Sequence, residues 1–265
     1  MTQLIEFNNR QGETLRGLFD KAKSTRGIIF VHGFERTTIE SKFKNIIDKL
    51  KGKINFFRFD FSGCGLSDGN FKNLTLKKQV QELKEATEKF LKISKVKSLS
   101  FVAHSFGCVV VLEYLKSARI KIDKIVLISP ALNQKMLHRF WFTKNYKKDN
   151  EINWSNFKEH FKGIKGIFEK EMKNPLKMTK EHIISSAYFL ENKDRDYQEL
   201  FTLPGLNSSQ FLIIHGENDD KVPIESNDQL PSQIKKIIIA DGDHDLQRPD
   251  MVKQYLDKLI KFLNS

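Results

Sequence analysis

An apolar run, Leu99-Ser100-Phe101-Val102-Ala103, breaks off at His104-Ser105. A second one, Val109-Val110-Val111-Leu112-Glu113-Tyr114-Leu115, starts within a turn of it. The first predicts a strand and the second is long enough for a helix, so Ser105 falls at a sharp strand-to-helix junction. Ala103 stands two residues before the serine and Gly107 two after it. Small residues are needed there because the turn is tight, and a large side chain at either place would strike the strand or the helix. The spacing predicts a serine held in a strained backbone conformation with its hydroxyl presented to a cleft. The common form of this turn is Gly-x-Ser-x-Gly, and Ala103 departs from it by one methyl group.

The rest of the chain repeats the same grammar. Segments near Leu4 to Phe7 and Thr14 to Phe19 read as two short strands around a turn at Asn9-Arg10-Gln11-Gly12. Gly27-Ile28-Ile29-Phe30-Val31 is an unbroken apolar run, expected of a strand covered on both faces, and Ile54 to Phe61, Lys124 to Ser129 and Gln210 to Ile214 read as further strands. Lys235 to Ala240 predicts the last strand. Helical spacing is found at Ile39 to Leu50, Leu76 to Leu91 and Met251 to Leu263. Strands alternating with amphipathic helices specify an α/β fold, with a mostly parallel central sheet and helices on both faces. In such sheets ligands bind beyond the carboxyl ends of the strands.

Residues 131–203 break the pattern. The stretch is rich in lysine and aromatics, and it is too long for a plain loop, so an inserted cap is expected there, with residues 1–130 and 204–265 forming the core. Trp154, Phe157, Phe161, Ile164 and Phe168 fall at the spacing of one helix, and Thr179 has the look of the N-cap of another. Most of these aromatics are expected to pack the cap on the body, with a few lining the cleft.

Composition narrows the possible roles. The formal charge of +12 raises nucleic acid or an anionic membrane as a partner, but the lysines are scattered and form no dense block. A solvated basic surface is the expectation, with no nucleic-acid partner. Neither a signal-peptide start nor a membrane-spanning run is seen, and Cys64 and Cys108 make no disulfide framework, so reduced thiols in a cytoplasmic protein are expected. The histidines and carboxylates show no metal-ligand spacing, and the glycine turn after Asp60 lacks the dinucleotide fingerprint, so neither metal nor cofactor is expected.

A serine hydroxyl is a poor nucleophile and needs a base, which in turn needs a group to orient it. His244 and Asp219 are the candidates, each following a late strand, in the chain order Ser, Asp, His. Asp220 is the alternative acid, and Asp243 and Asp245 read as turn residues. His32, His104 and His215 read as hydrogen-bonded residues at strand ends.

Five motifs in this order, His32-Gly33-Phe34, Asp60 to Ser67, Ala103 to Gly107, His215 to Asp219 with Val222-Pro223, and Gly242-Asp243-His244, resemble the α/β-hydrolases of the serine esterase type over nearly the full chain. The first two are similar to those of capped cinnamoyl and feruloyl esterases, with a weaker likeness to monoacylglycerol-lipase-like and serine-aminopeptidase-like members. The resemblance implies Ser105 as nucleophile, His244 as general base and acid, and Asp219 as the orienting carboxylate. It also implies an oxyanion hole from the backbone N–H groups of Phe34 and Phe106, whose side chains would shape an acyl pocket. The expected activity is hydrolysis of a small-molecule ester with an apolar acyl group, by a monomer or homodimer. Thioesterase, amidase or peptidase, and acyltransferase chemistry share the same site logic, and a non-catalytic binding role belongs to a different class.

Overall fold

The computed structural model describes residues 2–148, 151–179, 181–202 and 205–265. The chain opens with β1 (Thr2–Asn8) and β2 (Thr14–Asp20), which pair antiparallel. β3 (Arg26–Val31), α1 (Ser41–Leu50), β4 (Asn55–Phe59), α2 (Leu76–Ile93), β5 (Ser98–His104), α3 (Phe106–Leu115) and β6 (Lys121–Ile128) follow in strict alternation. After the segment beyond β6 come β9 (Phe211–Gly216), β10 (Lys235–Ile239) and α8 (Pro249–Asn264).

The eight strands form one sheet in the order β1-β2-β4-β3-β5-β6-β9-β10. Every pair from β4 to β10 is parallel, and only β2, antiparallel to both β1 and β4, runs the other way. The apolar runs explain this. With both faces covered, a strand has no polar side to turn outward, and its residues sort by parity between two cores. Ile28 and Phe30 join Val102, Val126 and Ile214 against α1 and α8. Ile29 and Val31 join Phe101, Ala103 and Leu127 against α2 and α3. The register levels the carboxyl ends, pairing Val31 with Ala103, His104 with Ile128, Ile128 with Ile214, and Gly216 with Ile239. Five loops are thereby brought to one edge.

Between β6 and β9 lie α4 (Gln134–Lys147), α5 (Phe157–Lys162), α6 (Lys165–Met172), the hairpin β7 (Leu176–Met178) with β8 (Ile183–Ser185), and α7 (Ser186–Asn192). Two expectations are corrected here. The aromatic run from Trp154 to Phe168 is two short helices rather than one, broken at Gly163-Ile164. Thr179 caps no helix: its hydroxyl accepts the His182 N–H at 2.9 Å and closes the β7–β8 hairpin, while Ser185 caps α7. No helix among the described residues is long and apolar enough to cross a membrane.

Candidate active site

Ser105 links β5 to α3 at φ 54° and ψ −123°, a conformation that costs a side-chain-bearing residue free energy. Neighbouring backbone holds it there. The Ser105 N–H donates to the Ile128 carbonyl at 2.9 Å, and its own carbonyl accepts from Cys108 at 3.1 Å and Ala131 at 3.3 Å. The small residue at 107 has a measurable reason. A Cβ on Gly107 would sit 2.5 Å from the His32 carbonyl oxygen and 2.7 Å from that of Val31, so α3 could not lie against β3. At position 33 the contact is with the serine itself, 3.0 Å from its Cβ.

The loops after β9 and β10 meet through glycine as well. A Cβ on Gly216 would lie 2.3 Å from the Gly242 oxygen, and the Asn218 N–H donates to that oxygen at 2.9 Å. This close approach brings Asp219 and His244 together although 24 residues separate them in the chain. His244 Nδ1 donates to Asp219 Oδ2 at 2.8 Å, and His244 Nε2 lies 3.0 Å from Ser105 Oγ. A carboxylate on Nδ1 puts the ring proton there, leaving the Nε2 lone pair to accept from the serine hydroxyl. Asp220, the alternative acid, is exposed and takes no part in this chain of bonds.

The Asp219 carboxylate is enclosed on every side. Oδ1 accepts the N–H groups of Lys221 at 3.0 Å and Val222 at 2.8 Å. Oδ2 also lies 3.2 Å from His215 Nε2, which donates to the Val222 carbonyl at 2.8 Å. Burial alone would push this carboxyl up, but hydrogen bonds from His215 and His244 outweigh it and hold the group well below the usual aspartate range. His104 Nε2 donates to the His244 carbonyl at 3.0 Å, and burial keeps that imidazole neutral. His32 Nε2 accepts the Phe61 N–H at 3.2 Å. These three histidines are the hydrogen-bonded strand-end residues their positions suggested, and His215 and His104 additionally fix the two ends of the Asp219–His244 pair.

Asp243 is a turn residue, its Oδ1 accepting the N–H groups of Asp245 and Leu246. Asp245 is more than that. Its carboxylate takes the Arg36 guanidinium at 2.7 and 2.9 Å and the Lys221 ammonium at 3.4 Å. Glu40, His104 and Asp245 each offer a ligand atom within 4.8 Å of the others, the spacing of a metal cluster. The surrounding charge fits a cation poorly. Buried Lys42 already stands 3.4 Å from Glu40, and Arg36 and Lys221 both pair with Asp245.

The N–H groups of Phe34 and Phe106 donate to no acceptor among the described residues. Phe106 opens α3, where amides are unpaired and the helix dipole favours negative charge. Both phenyl rings line a cavity of about 440 Å³ above Ser105. Tyr188 of α7 packs between them, 4.9 Å from Phe34 and 5.1 Å from Phe106, a contact no motif in the sequence signals. The segment between β6 and β9 completes the wall with Gln134, His138, Trp141 and Phe189. Asp60 ties down the neighbouring loop, accepting the N–H groups of Thr38 and Leu66.

Residues 28–248 match the family described as alpha/beta hydrolase fold. Among curated proteins, the chain is 29% identical over 116 residues to "Probable lysophospholipase BODYGUARD 2" of Arabidopsis thaliana, a match covering 42% of this chain and 24% of that protein. The matched region thus spans about a quarter of that relative's length. Among solved structures, Est1E from Butyrivibrio proteoclasticus superimposes with a TM-score of 0.70 at 16% identity, covering 99% of each chain. The Pyrococcus furiosus esterase PF2001 gives 0.66 at 16% identity over 100% of this chain and 90% of its own. Mouse alpha/beta hydrolase domain-containing protein 10 gives 0.67 at 19% identity over 99% and 98%. At these identities the likeness is one of fold.

Proposed function

The chain belongs to the alpha/beta hydrolase fold family, and from that premise we propose that it is a serine hydrolase cleaving carboxylic esters through an acyl-enzyme. The observation that carries this reading is the continuous series from Ser105 Oγ to His244 to Asp219, with contacts of 3.0 and 2.8 Å, opening on an apolar cavity.

Ser105 Oγ attacks the ester carbonyl carbon while its proton passes to His244 Nε2. The carbonyl oxygen becomes an oxyanion facing the Phe34 and Phe106 amides, and each such donor is worth about 2.7–4 kcal/mol in the transition state. Collapse of the tetrahedral intermediate breaks the bond to the alcohol, which leaves with the proton from His244. Water then attacks the acyl-enzyme, giving its proton to His244, and the second collapse returns that proton to Ser105 as the acid departs. Asp219 remains ionised throughout and stabilises the imidazolium.

Residues 131–203 act as a cap that sets the shape of the acyl and alcohol sites. Printed descriptions of related proteins support an ester substrate: Est1E has been solved with ferulic acid bound, and the Arabidopsis relative is named for lysophospholipase activity. A reducing, cytoplasmic setting is supported by the two cysteines, both buried free thiols rather than a disulfide. Ser105→Ala should abolish turnover of p-nitrophenyl esters while leaving the thermal melt nearly unchanged. Equal activity in the variant would remove Ser105 from the mechanism. Comparing matched ester, thioester and amide substrates separates the leaving groups this site could serve.

A further inference from the structure

Glu35 follows Phe34, whose amide faces the oxyanion in the mechanism above. It takes φ 53°, a conformation that costs a side-chain-bearing residue free energy and lasts only where the surroundings hold it. The main chain does not hold it. From Phe34 to Thr37 no backbone N–H donates to an acceptor among the described residues, and pairing resumes at Thr38. The Glu35 side chain supplies the hold, because its carboxylate reaches from the loop after β3 to the β7–β8 hairpin. Oε1 accepts the Thr179 hydroxyl, accepts the Glu181 N–H at 3.3 Å and lies 3.1 Å from His182 Nδ1. A second connection runs through rings. His182 stacks on Phe71 at 4.4 Å, and Phe71 meets Phe34 edge-on at 5.2 Å. Both connections start on the hairpin and end on the neighbouring residues Phe34 and Glu35.

Apolar burial contributes little to this contact. Leu176, Met178 and Ile183 are exposed, and of the six strand residues of the hairpin only Ile184 is buried. An element with so few buried side chains is among the easiest parts of a fold to displace. Glu35, Thr179 and Glu181 line the same cavity as Phe34 and Ser105, so the clasp stands beside the reacting serine. An oxyanion donor works only within about 2.7–3.1 Å of the developing charge, and a loop free to leave its strained conformation would carry the Phe34 amide off that mark. We propose that Glu35 is a positioning residue for the oxyanion hole: held by Thr179, Glu181 and His182, it keeps the Phe34 N–H aimed at the oxyanion. The hairpin thereby serves the transition state and not only the fit of the substrate. The inference rests on the esterase reading above and adds a residue to its machinery.

The test sets p-nitrophenyl acetate against its thionoacetate, in which sulfur replaces the carbonyl oxygen. Sulfur is a weak hydrogen-bond acceptor and lies farther from carbon, so the thiono compound draws little from donors placed for an oxyanion. Glu35→Ala should lower kcat for the acetate by roughly ten- to a hundredfold with KM nearly unchanged. The oxygen-to-sulfur ratio of kcat/KM should fall by a similar factor. That ratio is the readout a general loss of structure would not move, since unfolding removes both activities together. Glu35→Gln keeps an acceptor for the Thr179 hydroxyl and should recover most of the rate. Thr179→Val, on the hairpin, should act in the same direction as Glu35→Ala. Its effect should vanish in the Glu35→Ala background, because both substitutions break one contact. Wild-type protein inert toward the acetate would remove the esterase reading and this role for Glu35 with it. Active wild-type protein would overturn the Glu35 assignment alone under any of three results: a Glu35→Ala effect confined to KM, an unchanged oxygen-to-sulfur ratio, or effects of the two substitutions that simply add.

Discussion

The buried Asp219 carboxylate is held by hydrogen bonds, and its surroundings bear on stability as well as on the proposed chemistry. Burial raises its pKa, yet His215, His244 and two backbone amides more than offset this, so the folded-state value lies below that of the unfolded chain. A depressed carboxylate contributes stability that is present above its unfolded pKa of about 3.9 and is lost as pH falls through that value toward the lower folded one. Between about pH 5 and pH 3 the urea midpoint of the wild-type protein should therefore fall more steeply than that of Asp219→Asn. The same variant should lower kcat by about 10⁴-fold, because an amide cannot hold the imidazole in the tautomer that Ser105 requires. An Asp219→Asn enzyme with near wild-type kcat would show that the orienting group lies elsewhere. Ser105, His244 and Asp219 could be named as candidates from the sequence, since each follows an apolar run at a recognisable turn, and their side chains meet in the structure. The place of Tyr188 between Phe34 and Phe106 was not, because it depends on where a long inserted segment lands on the body. The ion pairs that Asp245 makes from its turn were not legible either, because its partners Arg36 and Lys221 come from distant loops.

At the scale of elements, the site depends on how closely backbones approach. The loops after β9 and β10 touch at Gly216 and Gly242 with no room for a methyl group. Gly216→Ala must therefore separate the two loops that carry Asp219 and His244. Overpacking of this kind typically costs about 1–3 kcal/mol of stability. Activity should fall further than that cost implies, by more than about tenfold for protein that remains folded, because a displacement of about 1 Å costs roughly 10²-fold in a positioned reaction. Kinetics at a temperature where circular dichroism shows the variant fully folded would check this; unchanged kcat would mean that the loops can part without disturbing the bond. The strands and helices of the body followed from hydrophobic periodicity. In the inserted segment that signal misled. Phe161 and Phe168 pack together at 5.3 Å and keep helical spacing through the break at Gly163, so periodicity reads straight across a junction that glycine, with its poor helix propensity, permits. Thr179 misled because a hydroxyl that closes a hairpin and one that caps a helix have the same local sequence preference.

Taken as a whole, the molecule ties the segment between β6 and β9 into the body. Ile184, Tyr188, Tyr197, Leu200 and Phe201 belong to the same apolar cluster as β3, β5 and α3. Trp141 of α4 donates to the Lys221 carbonyl at 2.6 Å, next to the Asp219 turn. Both tryptophans of the chain, Trp141 and Trp154, lie in this segment, whereas far-ultraviolet dichroism reports mainly the sheet and helices of the body. Thermal unfolding followed by the two signals should give coincident midpoints, and a fluorescence transition well below the other would mean that the segment melts independently. Covalent labelling tests most directly whether Ser105 is a nucleophile activated by its neighbours. Folded protein treated with a fluorophosphonate and mapped by peptide mass spectrometry should carry one phosphonyl group, on Ser105, and labelling should be lost in both Ser105→Ala and His244→Ala. No adduct on the folded wild-type protein, or an adduct at another residue with Ser105 untouched, would contradict it.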